Sequence, residues 1–297
     1  MSLSRLQSVF RVASRSACTA ALGALFVLHA AACGENQTTL PQNASYEAGA
    51  PAPLACVPNL DGKIESKELA PSFDVPARFL VNPDGQTRQV DLAGRVEANG
   101  QRLWDYSVPF RDDRIATITA QHIEDKWYAG SFPAAEFVAP LELAARNVAV
   151  YARSESEIKI LGIASVEQNG ADGKTLLVYE PPVILYKLPL VAGATMTSTG
   201  TVRNGTLRGQ PYAGKDTYET KVDASGRLAL PDITFSQTLR VKTLVTVEPI
   251  AGVKTTRRQV SYFFECFGEV ARIASANNEP AEDFTEAAEF RRLGLGP

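Results

Sequence analysis

Between Arg78 and Ile273 apolar and polar residues alternate with period two over several long stretches. Leu239, Val241, Thr243, Val245 and Val247 alternate with Arg240, Lys242, Thr246 and Glu248. Val260, Tyr262, Phe264 and Cys266 fall on one face of a later stretch, and Tyr218, Thr220 and Val222 stand between Glu219, Lys221 and Asp223. Successive side chains of a strand point to opposite faces, so this pattern predicts half-buried antiparallel strands. Turn-forming clusters separate them: Asn82-Pro83-Asp84-Gly85, Asn99-Gly100, Asn169-Gly170 with Asp172-Gly173, Asn204-Gly205 and Ala224-Ser225-Gly226. Many such runs at short spacing predict a mainly β fold: a single curved antiparallel sheet, as a half-barrel or a sandwich. Helix is expected in two places. A short one starts at Pro133 and reaches about Val138. A longer one runs from Pro280 to Leu293, with Glu279, Glu282 and Asp283 at its start, Arg291 and Arg292 at its end and Gly294 to stop it. That order of charges suits the helix dipole. The β-rich domain is therefore drawn over 76–275, with a C-terminal helix and tail over 276–297.

The N-terminus follows another pattern. Arg5, Arg11 and Arg15 are the only charges before Glu35, and an uncharged stretch from Ser16 to Ala32 follows, with the apolar run Ala20–Leu28 at its centre. Basic, apolar, then small is the order of a secretory signal, here over 1–32. The small residues lead into a cysteine, Ala30-Ala31-Ala32-Cys33, a junction that resembles the lipobox of bacterial lipoproteins. The family usually has Leu where Ala30 stands. The resemblance implies cleavage before Cys33 and acylation of its thiol. Gly34 at the next place implies sorting to the outer membrane of a Gram-negative-type envelope, facing the periplasm or the cell surface. Residues 34–55 are rich in Pro, Ala, Ser, Thr, Asn and Gln and read as a flexible tether. Its 22 residues have a root-mean-square reach of roughly 25 Å.

Where the tether ends, Asn59, Asp61, Glu65 and Glu68 fall, with Gly62 and Ile64, at the spacing of part of an EF-hand loop. Calcium needs several hard oxygens, a glycine at the sharp turn and a terminal carboxylate. Here the first ligand position is Val57, and a Pro- and Ala-rich stretch stands where an entering helix belongs. The competing reading is an Asp-Gly turn followed by a short polar helix. Apart from this calcium candidate no cofactor is expected. Once Cys33 is acylated, the mature chain keeps two cysteines, Cys56 and Cys266, which an oxidising compartment is expected to pair.

Composition narrows the function. The chain is 45% hydrophobic and 21% charged, with 30 basic and 33 acidic residues. This near balance leaves no footprint for nucleic acid. Loss of the three arginines of the leader leaves 27 basic against 33 acidic residues, a net charge of −6, so the lipid rather than the surface would hold the protein to a membrane. Trp104, Tyr106, Phe110, Trp127, Tyr128 and Phe132, with Phe137, lie within 34 residues. They form either a groove for a hydrophobic ligand or core packing against the sheet. Catalytic candidates are sparse: His122 is the one histidine of the mature chain, and Asp112-Asp113 and Glu124-Asp125 are the paired carboxylates.

A second likeness lies in Pro189-Leu190 with Gly193 and Thr195, then Val222-Asp223 with Gly226, Leu228, Leu230 and Pro231, then Thr238–Val241. It resembles uncharacterised secreted bacterial β-proteins that are similar to half-barrel carriers of the LolA/LolB kind. In those a curved antiparallel sheet holds an acyl chain. The expectation is a non-catalytic envelope lipoprotein that binds a hydrophobic ligand or an envelope partner. Its rivals are a structural lipoprotein without a small-molecule site and, more weakly, a hydrolase using carboxylates or His122.

Overall fold

A computed structural model describes residues 56–143 and 146–294; the expected signal segment, Cys33 and the tether lie outside them. The N-terminal half carries β1 (Lys63–Ile64), β2 (Ala77–Val81), β3 (Arg88–Gln89), β4 (Arg95–Val96), β5 (Arg102–Asp105), β6 (Arg114–Ile118), β7 (Phe137–Pro140) and β8 (Asn147–Arg153). Then come β9 (Glu157–Ser165), β10 (Leu176–Lys187), β11 (Leu190–Val191), β12 (Thr195–Leu207) and β13 (Gln210–Ala229). The last are β14 (Thr234–Pro249), β15 (Thr255–Phe264), β16 (Gly268–Asn277), β17 (Glu286–Ala287) and β18 (Glu289–Leu293).

One large antiparallel sheet has the order β6-β2-β18-β16-β15-β14-β13-β12-β10-β9-β8-β7. It curves until its two edges almost meet. Gln121, just beyond β6, exchanges two 2.9 Å backbone hydrogen bonds with Val138 of β7. The mainly β, half-barrel expectation describes this architecture, a barrel nearly closed. β5 adds a short parallel strand beside the far end of β13.

Alternation sorts each strand into a lumen face and an outer face. In β15, Val260, Tyr262 and Phe264 point outward into a core closed by Trp104, Tyr106, Leu92 and Phe284. In β8, Val148 and Val150 pack outward under Ile123, Tyr128 and Phe132. Inside the barrel, Ala149, Ile160, Leu177, Tyr179, Val183 and Val202 form an apolar wall. One end of the lumen is filled by Ile158, Tyr186, Leu190, Val222, Leu239, Val241 and Phe263 around Ile64, which is 1% exposed.

Ile64 arrives on a short segment fastened across that end. β1 pairs with β11, the backbone amides of Asn59 and Leu60 each donate to Glu265 Oε2 at 2.7 Å, and the Cys266 amide donates to the Glu68 carbonyl. Cys56 and Cys266 are disulfide-bonded, as the cysteine count predicts.

Three readings of the pattern are corrected. Residues 280–293 are not a helix: β17 pairs with β3, and β18 lies between β16 and β2. Two strand edges with unmet hydrogen bonds outweigh a marginal helix signal, because buried backbone groups must be paired. Nor are residues 133–138 helical: a 3-10 turn, Ala129–Ser131, precedes them, and Phe137–Pro140 is β7. Asn204-Gly205 and Ala224-Ser225-Gly226 do not end strands. They are irregularities inside β12 and β13, where the ladder shifts register between Val202 and Gly205 and between Gly226 and Leu228. A Cβ on Gly226 would stand 2.5 Å from the Arg102 carbonyl oxygen, so this glycine admits β5 rather than making a turn.

Candidate functional site

The lumen contains a cavity of about 320 Å³ that runs from the packed end around Ile64 towards the rim. Its rim is set by hairpin ends. Val247 and Thr255 form the last ladder pair before the β14–β15 hairpin, and Asn277 closes β16 at the same level. Beyond the rim the hairpin tip carries Ile250 and Val253, 83% and 79% exposed, the most exposed large apolar side chains among the described residues.

The walls differ in chemistry. On the β8–β10 side, continuing to β13 and β14, stand Tyr151, Ile160, Ile163, Leu185, Tyr218 and Val245. On the β15–β18 side stand Arg257, Gln259, Arg272 and Glu289. Arg272 donates through Nε to Glu269 Oε1 at 2.8 Å and through Nη2 to Oε2 at 2.7 Å. Arg291 reaches the same Glu269 Oε2 at 2.8 Å. Burial works against the Glu269 carboxylate, but the two guanidiniums overcome it and hold its pKa below the usual 4.5. Asp216, from β13, has no such cation. Burial pushes its carboxyl above the usual range, opposed only by a hydrogen bond from the Tyr179 hydroxyl.

Three tyrosines surround Arg272. Tyr151, Tyr186 and Tyr218 are all pushed up by burial, and each feels the Arg272 charge. None of the three hydroxyls has a hydrogen-bond partner among the described residues. Room for this side of the lumen comes from Gly200 of β12: a Cβ there would stand 2.8 Å from the Tyr179 ring and 2.7 Å from Val183. That close approach admits no larger side chain without movement.

No family model, no curated protein and no solved structure matches this chain.

The sequence-derived candidates lie elsewhere. The six aromatics do not converge on one groove. Trp104 and Tyr106 are buried in the outer core, with Phe110 packed beside them; the Trp104 indole donates to the Leu92 carbonyl and the Tyr106 hydroxyl meets that of Tyr262 at 2.8 Å. Tyr128 and Phe132, with Trp127 at their edge, belong to a separate core outside β7–β9. Packing explains them, since an aromatic-rich segment covers each part of the sheet's outer face.

The EF-hand spacing does not fold as a calcium loop. Asn59 Oδ1 accepts from the Asp61 amide, Asp61 Oδ1 from the Lys63 amide, and Glu68 Oε2 from the Glu65 amide. The Glu65 side chain is held by Lys63 and Lys67 at 3.1 and 3.0 Å. The segment is a turn leading into a 3-10 helix, Ser66–Leu69, capped reciprocally by Glu65 and Glu68. No group of three or more His, Cys, Asp or Glu side chains among the described residues is placed to hold a metal.

The catalytic candidates are dispersed as well. Asp112 pairs with Arg88 at 2.6 Å and Asp113 with Arg292, so the neighbouring carboxylates turn to different arginines. His122 stacks on Phe73 at the surface, with Glu124 3.9 Å away. The lumen groups Tyr151, Tyr186, Tyr218, Asp216, Glu269 and Arg272 are absent from the sequence candidates. The available signal is a pair of opposite charges in an otherwise apolar run: Glu269 and Arg272 of β16 flank Val270-Ala271, with Ile273 beyond.

Proposed function

We propose that this protein binds a small amphipathic molecule in the lumen of its half-barrel, without transforming it, while an acyl group on Cys33 holds it to the outer membrane. The observation that carries the reading is the two-faced cavity. An apolar wall of Ile160, Ile163, Leu185 and Val245 faces a wall that carries Arg257 and Arg272. Small-molecule sites are concave and mostly apolar, with a few placed polar groups, and span ~300–1,000 Å³. This cavity lies at the lower end of that range, suiting one chain or one small ring system.

The likeness to LolA/LolB-type carriers and the signal-like N-terminus support the same reading from the sequence. So does the outer face of β13, where Lys215, Glu219 and Lys221 are exposed. A barrel that crossed a bilayer would carry an apolar band there. The apolar tip at Ile250 and Val253 gives the rim a lip at which a ligand can be handed over.

A fluorescence titration with 1-anilinonaphthalene-8-sulfonate tests the reading. The parent chain is expected to bind the dye saturably with a strong blue shift. Val245→Trp, which fills the lumen, is expected to abolish that binding while keeping the fold. Equal binding by both chains would place the dye elsewhere and remove the support for a lumen site.

A further inference from the structure

Buried tyrosine hydroxyls normally find a partner. Among the other buried tyrosines, Tyr106 meets Tyr262 and Tyr179 donates to Asp216, whereas Tyr128, 2% exposed, is packed in the outer core without such a bond among the described residues. Tyr186 and Tyr218 are only 5% and 9% exposed, line the cavity and have no partner among the described residues. The Tyr151 hydroxyl is in the same position, and so is Nη1 of Arg272, whose Nε and Nη2 are spent on Glu269. Four donors therefore belong to side chains that line the cavity, without a partner among the described residues.

Arg272 and Arg291 share the single carboxylate of Glu269. Glu289 lies 3.8 Å from Arg291 and 3.7 Å from Arg257, so three guanidiniums face two carboxylates along this wall. Asp216 stands across from them and accepts from the Tyr179 hydroxyl; burial raises its pKa from the usual value. Glu142, at the rim, is occupied by the backbone and side-chain nitrogens of Asn147.

Resting on the reading of the lumen as a ligand site, we propose that its deep end receives the monoanionic head of a single-chain amphiphile, a carboxylate, held by Arg272 Nη1 and the hydroxyls of Tyr151, Tyr186 and Tyr218. The tail then runs along Leu185, Ile160, Ile163 and Val245 towards Val247 and the rim. Charge-assisted hydrogen bonds from a guanidinium and from hydroxyls are the strong kind for an oxyanion. A cationic head would meet the Arg272 guanidinium as repulsion, and an uncharged head would forgo the charge-assisted part of the Arg272 hydrogen bond.

Three probes of equal tail length decide the matter: decanoate, decanol and decyltrimethylammonium, each titrated calorimetrically into the full chain carrying Cys33→Ser, exported through a periplasm and purified without detergent. Decanoate is expected to bind at least about tenfold more tightly than decanol, with the cation weakest. The double variant Tyr186→Phe, Tyr218→Phe is expected to weaken decanoate by about tenfold and to leave decanol unchanged. Its thermal stability is expected not to fall, because neither hydroxyl holds anything in the free protein. Decanol binding as tightly as decanoate, or a double variant that binds decanoate like the parent, would overturn the head site and leave the carrier reading standing. No binding of any probe would remove both.

Discussion

Asp216 and Glu269 are carboxyl groups turned into the same lumen, and their neighbours send them in opposite directions. Glu269 keeps its charge because Arg272 and Arg291 outweigh the cost of burial. Its folded pKa is depressed, so the stability it contributes is present at neutral pH and is lost as pH falls through the folded value. Glu269→Gln would leave two guanidiniums inside the barrel without their shared carboxylate, a loss of about 3–5 kcal/mol. Asp216 has the opposite sign. Its folded pKa is raised by burial, so the folded state holds its proton more tightly and the ionised carboxylate destabilises the fold at neutral pH. Asp216→Asn keeps an acceptor for the Tyr179 hydroxyl and removes the charge. Urea unfolding at pH 7 is expected to show this variant more stable than the parent, with the gain shrinking as pH is lowered through the raised pKa of the parent carboxyl. A variant less stable at pH 7, or a gain that grows on acidification, would contradict this assignment. None of these residues is legible as a site in the sequence. A period-two pattern says that residues 218, 220 and 222 share a face, but not that the face lines a lumen. That distinction needs the closure of the sheet, which is set by pairings between strands far apart in the chain.

At the scale of elements, the regular strands are the legible part. The run over 239–247 reads directly because it alternates between the lumen and a charged outer face, where Arg240 and Lys242 pair with Asp223, and the run over 260–266 because its apolar face enters an outer core. The aromatic cluster over 104–132 marks segments that cover the sheet from outside, and its density reflects packing. The last strand is illegible for a physical reason. Glu289–Leu293 has the charges of a helix end, yet Arg291 and Arg292 are buried counterions: Arg291 pairs with Glu269, and Arg292 with Asp113 and the carbonyls of Tyr106 and Val108. Closure of the far end of the lumen depends on the segment that begins at Cys56. The disulfide to Cys266 spans 210 residues, and the chain-entropy account gives about 5 kcal/mol for a loop of that size. Cys56→Ser is therefore expected to lower the unfolding free energy by several kcal/mol. Ile64→Ala, which empties the plug without touching the bond, is expected to cost about 2–5 kcal/mol. Denaturant unfolding under non-reducing conditions checks both. An unchanged midpoint for Ile64→Ala would mean that the segment does not support the packed end of the barrel.

For the whole molecule, the two ends of the barrel differ. β15 runs from Thr255 at the rim to Phe264 at the packed end, where Cys266 holds Cys56. The chain leading back towards Cys33 thus joins the folded body at the end opposite the rim. A tether attached there would leave the mouth facing away from the attachment point. If Cys33 carries the lipid, full-length protein with Cys33→Ser is expected in the soluble envelope fraction, whereas the parent stays with membranes through a high-salt wash. Persistence of the variant in washed membranes would rule out anchoring through this thiol.

A molecule held in the lumen is the central expectation. Native mass spectrometry of the Cys33→Ser chain, exported through a periplasm and purified without detergent, tests this most directly. A reproducible added mass of one small amphiphile, released by organic solvent and missing from Val245→Trp, is expected. An unliganded mass in the parent, unchanged after incubation with decanoate, would contradict it.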